Sequence, residues 1–241
     1  MIPKYIHYCW FGYGEKSSSF AKNIASWKKY YPDFEIIEWN ETNSFIESSA
    51  YAQEAYQCEK YSFVADYVRL KALVEYGGIY LDTDVEVLKR DQALENMDFV
   101  AGFEASDRIG TAILFSRQAE PLIEKWLRLY DNRHFIQKNG IIDMTPNVHE
   151  LTELLKQDGW KMDNSEQHID HRLLLPRDKL YPYSIGDRKI SLDKALMVHW
   201  CEGSWVSGKL KLKHGFIRFI KMILGKKLYD NLRNRFFAGQ V

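Results

Sequence analysis

The chain has 241 residues and a formal net charge of zero, enough for one α/β domain with a real core or at most two small domains. Hydrophobic residues at 46% and charged residues at 27% are ordinary for a soluble globular protein; with no run of eighteen apolar residues and no apolar leader after Met1-Ile2-Pro3-Lys4, a spanning helix and a signal peptide are excluded. Cys9, Cys58 and Cys201 are odd in number and widely spaced, which excludes a disulfide framework or a zinc-ligand pair and fits a reducing cytoplasm.

In chain order, Ile2 to Phe11 reads as a strand running into a turn at Gly12-Tyr13-Gly14. Ser17, Ser18 and Ser19 supply caps for a helix over Phe20 to Tyr31, where Phe20, Ile24, Trp27 and Tyr31 fall on one face. Pro32-Asp33 ends it, and Phe34 to Trp39 is a second strand, so the chain opens as a parallel sheet opens. Ser62 to Tyr76 predicts a second helix, stopped by Gly77-Gly78. Ile79 to Leu81 is a short buried strand, and Val85 to Leu88 continues extended. Phe99 to Phe103 and Ala112 to Phe115 read as strands, Pro121 to Tyr130 and Asn147 to Gln157 as helices. Asp158 to Arg188 reads as irregular, and Leu196 to Trp200 as a last core strand. With no repeat and no linker before residue 206, the pattern predicts one α/β domain over residues 1–205 with a mostly parallel central sheet.

The segment richest in chemistry is Tyr76-Gly-Gly-Ile-Tyr-Leu-Asp82-Thr-Asp84. An apolar strand ends in two carboxylates one residue apart, and in a strand positions i and i+2 share a side. Asp82 and Asp84 are therefore expected to converge at the carboxyl end of a sheet strand, where ligands sit in open α/β sheets. Their mutual repulsion is relieved by a divalent cation, and hard oxygen ligands favour Mg2+ or Mn2+, which bridge to a nucleotide diphosphate. The alternative is a pair of acidic turn residues. Upstream, Asp66 and Arg69 share one face of a mostly apolar helix. They form either a structural ion pair or a carboxylate and guanidinium presented to sugar hydroxyls.

Together these residues resemble a known family. Ser62-Phe-Val-Ala-Asp66-Tyr-Val-Arg69 followed by Gly77-Gly78-Ile-Tyr-Leu-Asp82-Thr-Asp84 is similar to the sugar-binding region of glycosyltransferase family 32 and to the glucosyltransferase domains of large clostridial toxins. Ile2-Pro-Lys-Tyr-Ile-His7-Tyr-Cys-Trp10-Phe-Gly12 resembles the opening strand of that family, and His199-Trp-Cys-Glu-Gly203-Ser204-Trp205 its closing motif. The resemblance implies a GT-A-type nucleotide-binding domain and a retaining, metal-dependent transferase acting on a UDP- or GDP-sugar. It implies Asp84 as the principal metal ligand, Asp82 on the ribose or on the metal through water, and Asp66 and Arg69 on the donor sugar. It further places His7 and Trp10 at the nucleotide, with Trp10 packing on the base, lets the backbone at Gly77 and Gly78 approach the donor, and puts Ser204 and Trp205 on the diphosphate. His199 is the implied third metal ligand. Glu202, standing where a small residue is expected, is its competitor. The reaction implied is a same-face displacement without a protein nucleophile. Gly102-Phe103-Glu104, Asp107, Ile109-Gly110-Thr111 and Thr145-Pro146-Asn147 are expected to border the acceptor, a glycan or lipid-linked oligosaccharide in surface polysaccharide synthesis.

From Val206 to Val241, nine Lys or Arg against the single Asp230 leave +8, so the preceding body carries −8. Phe216, Phe219, Ile220, Ile223 and Leu224 recur at helical spacing among basic residues. This predicts an amphipathic helix lying on an anionic membrane surface, the inner face of the membrane for a cytoplasmic protein. Nucleic acid is excluded as a partner because phosphates would repel the acidic body. Two rivals remain. One is a phosphohydrolase of the haloacid-dehalogenase type, which also places Asp-X-Asp after a strand but has Thr or Val where this chain has Glu86. The other is a non-catalytic carbohydrate- or membrane-binding module, which needs no metal pair.

Overall fold

The computed structural model describes residues 1–184, 187 and 190–202; Ser204, Trp205 and the expected basic tail lie outside the described residues. β1 (Tyr5–Cys9) and β2 (Glu35–Trp39) flank α1 (Ser18–Tyr30) and pair in parallel, as the opening pattern predicts. Ser17 caps α1 by accepting the Phe20 N–H at 3.2 Å. The stretch between Trp39 and Ser62, unassigned from sequence, contains α2 (Ala50–Gln57). Eight residues are too few for a stable isolated helix; Tyr51, Ala52 and Ala55 stabilise it by packing in one core with α3 (Tyr61–Tyr76).

The chain continues through β3 (Gly78–Leu81), β4 (Val85–Val87), β5 (Phe99–Ala105), β6 (Arg108–Ile109), β7 (Ile113–Ser116), α4 (Pro121–Leu127) and α5 (Asn147–Gln157). It then forms β8 (Gln167–Ile169), β9 (Arg172–Leu175), α6 (Arg177–Leu180) and β10 (Met197–His199). The main sheet has the order β2-β1-β3-β7-β5-β9-β8, with β6 paired to β5. Pairs β1–β2, β1–β3 and β5–β9 are parallel, while β7 runs antiparallel to β3 and β5, and β8 to β9. Five of its eight strands thus run in one direction, with β6, β7 and β8 reversed.

Its strands bury both faces, and the period-2 alternation sorts their side chains between two cores. Tyr80, Phe99, Ala101, Phe103, Leu114 and Leu174 face the core under α2, α3, α4 and α5. Ile6, Tyr8, Ile79, Leu81, Val100, Ile113, Phe115, Leu173 and Leu175 face the core that holds Phe20 and Trp27 of α1 and Leu180 of α6. Loss of either fully buried tryptophan, Trp27 or Trp126, to alanine removes about 3–5 kcal/mol.

Two expectations for the C-terminal part are corrected. Residues 158–188 are not simply irregular: β9 enters the main sheet beside β5, Phe99 opposite Arg172, and β8 and α6 flank it. Strands of three and four residues leave little periodicity to read, and the pairing partner lies some seventy residues upstream. The last strand is buried as expected but belongs to a separate two-stranded sheet, antiparallel to β4, with Val85 opposite His199.

Candidate active site

Asp82 follows the last residue of β3, a strand between parallel β1 and antiparallel β7. The expected geometry is corrected here: Asp82, Thr83 and Asp84 do not continue a strand but form a tight turn, closed by the Val85 N–H donating to the Asp82 carbonyl at 3.0 Å. α1 splints that turn. Asn23 Nδ2 donates to the Thr83 carbonyl at 2.9 Å, and Trp27 Nε1 to the Val85 carbonyl at 2.8 Å. The two carboxylates converge nonetheless, because the turn folds Asp84 back toward Asp82.

The β4–β10 register supplies the third group. It sets His199 Nε2 3.1 Å from Asp84 Oδ1, and ligand atoms of Asp82, Asp84 and His199 all lie within 4.8 Å of one another. Burial alone would discharge the His199 imidazole, but the Asp84 carboxylate holds it charged, well above its ordinary value. Burial likewise opposes the charge on Asp84, and His199 lowers that carboxyl below its usual range. Two carboxylate oxygens and an imidazole nitrogen fit Mn2+ or Mg2+ by donor type. A cation held there would replace the imidazolium proton, since only neutral imidazole ligates. Glu202 does not compete for this place. Its backbone N–H donates to Asp84 Oδ2 at 2.8 Å, while its carboxylate accepts from Ser19 Oγ at 2.7 Å.

On the other side of Asp82 lies the pair read from α3. Arg69 is 4% exposed, and its donors are occupied inside the protein. Nε reaches the Ala65 carbonyl at 3.3 Å, and Nη1 the Thr111 carbonyl at 2.8 Å. Nη2 bridges Asp66 Oδ1 at 2.9 Å and Asp82 Oδ1 at 3.4 Å. The guanidinium also stacks 4.5 Å from the Tyr80 ring centre. Arg69 is therefore a buried bridge between two carboxyl groups, 5% exposed at its side chain, rather than a guanidinium displayed beside Asp66 as the sequence suggested. Asp66 keeps a side-chain exposure of 12%. Burial outweighs the neighbouring guanidinium and pushes its carboxyl up to about 7. Sequence reasoning missed Tyr80, whose hydroxyl donates to Asp82 Oδ1 at 3.0 Å; the signal was present, since positions 80 and 82 are two apart.

Trp10 follows β1 and lines an open cleft of about 560 Å³ with Tyr13, Lys16, Glu38, Asn40 and Glu41. Its indole N–H donates to the Gly14 carbonyl at 2.9 Å, leaving the ring beside the cleft. The first turn of α1 touches this cleft, through Phe20 against Trp10, and Glu202, through Ser19.

Three expected contacts with the donor are corrected. His7 is 0% exposed. Its Nε2 donates to the Gly77 carbonyl at 2.8 Å and its Nδ1 accepts from Trp39 Nε1 at 3.2 Å, so it is a neutral internal strut. A Cβ on Gly77, at φ +64°, would lie 2.5 Å from the Gln118 nitrogen, and one on Gly78, at φ +110°, 2.6 Å from the Tyr5 carbonyl. The protein's own backbone, not a ligand, requires these glycines.

On the expected acceptor side, Phe103 and Ile109 are core residues. Gly102 and Gly110 pack against Leu180 and Tyr181. Glu104 is half-buried, 3.4 Å from Arg108, and burial raises its carboxyl; Asp107, Thr145 and Pro146 are exposed. Thr111 and Asn147 are buried and join the Asp66 network instead.

Residues 17–99 match a family model described as the glycosyltransferase sugar-binding region containing the DXD motif, a span that includes Asp66, Arg69, Asp82 and Asp84. Among curated proteins no sequence matches. Among solved structures the chain is similar to the PaToxG glycosyltransferase, at 20% identity over 66% of this chain and 70% of that one, with a TM-score of 0.51. It also aligns with a glycosyltransferase involved in glycosylating the major capsid of PBCV-1, at 14% identity over 88% and 98% of the two chains and a TM-score of 0.44. A third is GlyE of Streptococcus pneumoniae TIGR4, at 13% identity over 99% and 64% and a TM-score of 0.48. The fold is the GT-A-type α/β arrangement, and the matched region supports sugar transfer as the general activity.

Proposed function

We propose that this chain is a retaining glycosyltransferase that moves a hexose from a UDP- or GDP-sugar to a glycan or lipid-linked acceptor in surface polysaccharide synthesis. The observation that carries the reading is the meeting of Asp82, Asp84 and His199 beyond β3, with Asp82 linked to Asp66 through Arg69.

In this reading Trp10 receives the nucleobase on its ring. Asp66 accepts a hydroxyl of the donor sugar. Arg69 and Tyr80 hold Asp82 at a fixed angle, so that the carboxylate need not reorganise when the donor arrives. Asp84 and His199 hold Mn2+ or Mg2+, which when bound neutralises negative charge on the leaving diphosphate. Ser204 and Trp205 are proposed to donate to that diphosphate. Asp66 and Asp82 are engaged with Arg69, and Asp84 with His199 and the Glu202 N–H. None of these carboxylates is offered as a nucleophile. The glycosidic bond is proposed to break as the acceptor oxygen bonds on the same face, with the acceptor's proton passing to the departing phosphate. Positioning and electrostatics then account for the rate.

The test is nucleoside diphosphate release from a panel of UDP- and GDP-sugars by chelator-treated protein, with Mn2+ or Mg2+ restored. Cation-dependent release is expected. Equal release without cation would overturn the metal role, and hydrolysis of a generic phosphate ester in its place would overturn transfer itself.

No helix among the described residues is long and apolar enough to cross a membrane. The +8 segment from Val206 is proposed to hold the protein peripherally on an anionic lipid surface. Replacing Lys221, Lys226 and Lys227 with glutamine should weaken co-sedimentation with phosphatidylglycerol vesicles; unchanged partitioning would refute it.

A further inference from the structure

Asn147 is the first residue of α5, 81 positions from Asp66, yet its side chain is buried against the α3 carboxylate. Its Nδ2 donates to Asp66 Oδ1 at 2.5 Å, the same oxygen that Arg69 Nη2 reaches at 2.9 Å. Its own Oδ1 accepts from Thr111 Oγ1 at 2.9 Å, and the Thr111 carbonyl accepts from Arg69 Nη1 at 2.8 Å. Asp66, Arg69, Thr111 and Asn147 thus close a ring of hydrogen bonds. The amide turns its NH2 to Asp66, and the Thr111 hydroxyl locks its carbonyl. Both grips fall on Oδ1. Among the described residues no donor reaches Asp66 Oδ2, on a side chain that retains 12% exposure.

We propose that Asn147 is a positioning residue for the donor sugar: by fixing Asp66 through Oδ1, it aims the part-exposed Oδ2 at one hydroxyl of the transferred sugar and so sets which epimer is accepted. The proposal rests on the sugar-transfer reading above. A hydrogen bond to an ionised group discriminates sharply only when its direction is fixed, because a carboxylate free to rotate can meet a hydroxyl of either configuration. Arg69 alone leaves that rotation open, since Nη2 lies at the apex of a fork shared with Asp82.

The experiment compares full-length wild-type protein with Asn147→Ala and Thr111→Val. For each, kcat/KM is measured for the preferred nucleotide sugar and for its hydroxyl epimers carrying the same nucleotide. Affinity for the free nucleoside diphosphate is measured by titration. Asn147→Ala should shrink the preferred-to-epimer ratio by roughly ten-fold or more, with nucleoside diphosphate affinity unchanged. Thr111→Val, which keeps the amide but frees its carbonyl, should move the same ratio in the same direction by less. A merely structural role would lower both donors equally. An unchanged ratio therefore overturns the proposal even if total activity falls, and Thr111→Val decides it if Asn147→Ala does not fold. Wild-type protein that turns over no nucleotide sugar would sink the transfer reading and this inference together. Turnover with an unaltered ratio would sink this inference alone.

Discussion

At the α3 end of the acidic cluster, Arg69 uses its guanidinium wholly inside the protein, on Ala65, Asp66, Asp82, Thr111 and the Tyr80 ring. At the β10 end, Asp84 meets one imidazole and one backbone N–H from the Glu202 side, and Asp82 between the two ends keeps 29% side-chain exposure. The first end is a packed scaffold in which one buried guanidinium bridges two carboxyl groups. The second brings ligand atoms of Asp82, Asp84 and His199 within 4.8 Å of one another, with the Asp84 carboxylate favouring the charged imidazole. The difference teaches that one motif can divide its duties: the helix pair holds shape, and the turn after β3 gathers the groups proposed to hold a cation.

Substitutions should fail differently at the two ends. Arg69→Ala leaves Asp66 and Asp82 facing each other with no buried counter-charge, and should cost about 3–5 kcal/mol in urea denaturation. A loss under about 1 kcal/mol would show that the scaffold does not depend on it. Asp84→Asn should cost less in urea than Arg69→Ala, because the His199 imidazole can lose its proton when its partner is neutral, while lowering cation-dependent turnover on the order of 10²–10³-fold and removing any rise in melting temperature on adding Mn2+. If stability and turnover fell together, the contrast between the two ends would be gone.

His7 and His199 sharpen it through opposite pH dependences. Burial, against the pull of the Gly77 carbonyl, lowers His7 from 6.5 to about 4. Its contribution is therefore fully present above pH 6.5 and is lost as pH falls toward 4, about 3 kcal/mol across that window. His199 is raised by Asp84, so its contribution is present below its ordinary value of 6.5 and is lost as pH rises above it. Denaturation of wild type, His7→Gln and His199→Gln over this range should show the acid slope flattened in the first variant and the alkaline slope in the second. Parallel curves for all three would remove the assignment. The smallest effect is expected from Glu202→Ala. Its carboxylate touches only Ser19 among the described residues, so stability should change by less than about 0.5 kcal/mol and turnover hardly at all. A hundred-fold loss would return Glu202 to the metal shell.

Much of the N-terminal half was legible. The Ser17 cap, the one-sided apolar face of α1 and the Gly77-Gly78 stop are local signals, and local signals survive folding. α2 and β9 were not legible, because each is short and stabilised by partners outside its own segment. In the site, Asp82 and Asp84 were found from spacing, but the reason for their convergence was misjudged: a turn splinted by Asn23 and Trp27 brings them together, not a pleat. His7, Gly77 and Gly78 were correctly singled out and wrongly employed, since nothing in a sequence says whether a histidine or a glycine faces a ligand or a neighbouring strand.

The sequence by itself determined the alternation of apolar residues that makes a two-faced sheet, the end of β3 as the place for carboxylates, and the presence of His199 as a possible third ligand. Only the tertiary structure decided that the His199 side chain rather than the Glu202 carboxylate joins Asp84, that Arg69 is turned inward, and that Asn147 belongs to Asp66. Each of those contacts joins residues whose separation in the chain exceeds any local periodicity, or depends on how completely a side chain is buried. Periodicity carries direction within one element; register between distant strands and the burial of a charge are fixed only when the elements pack.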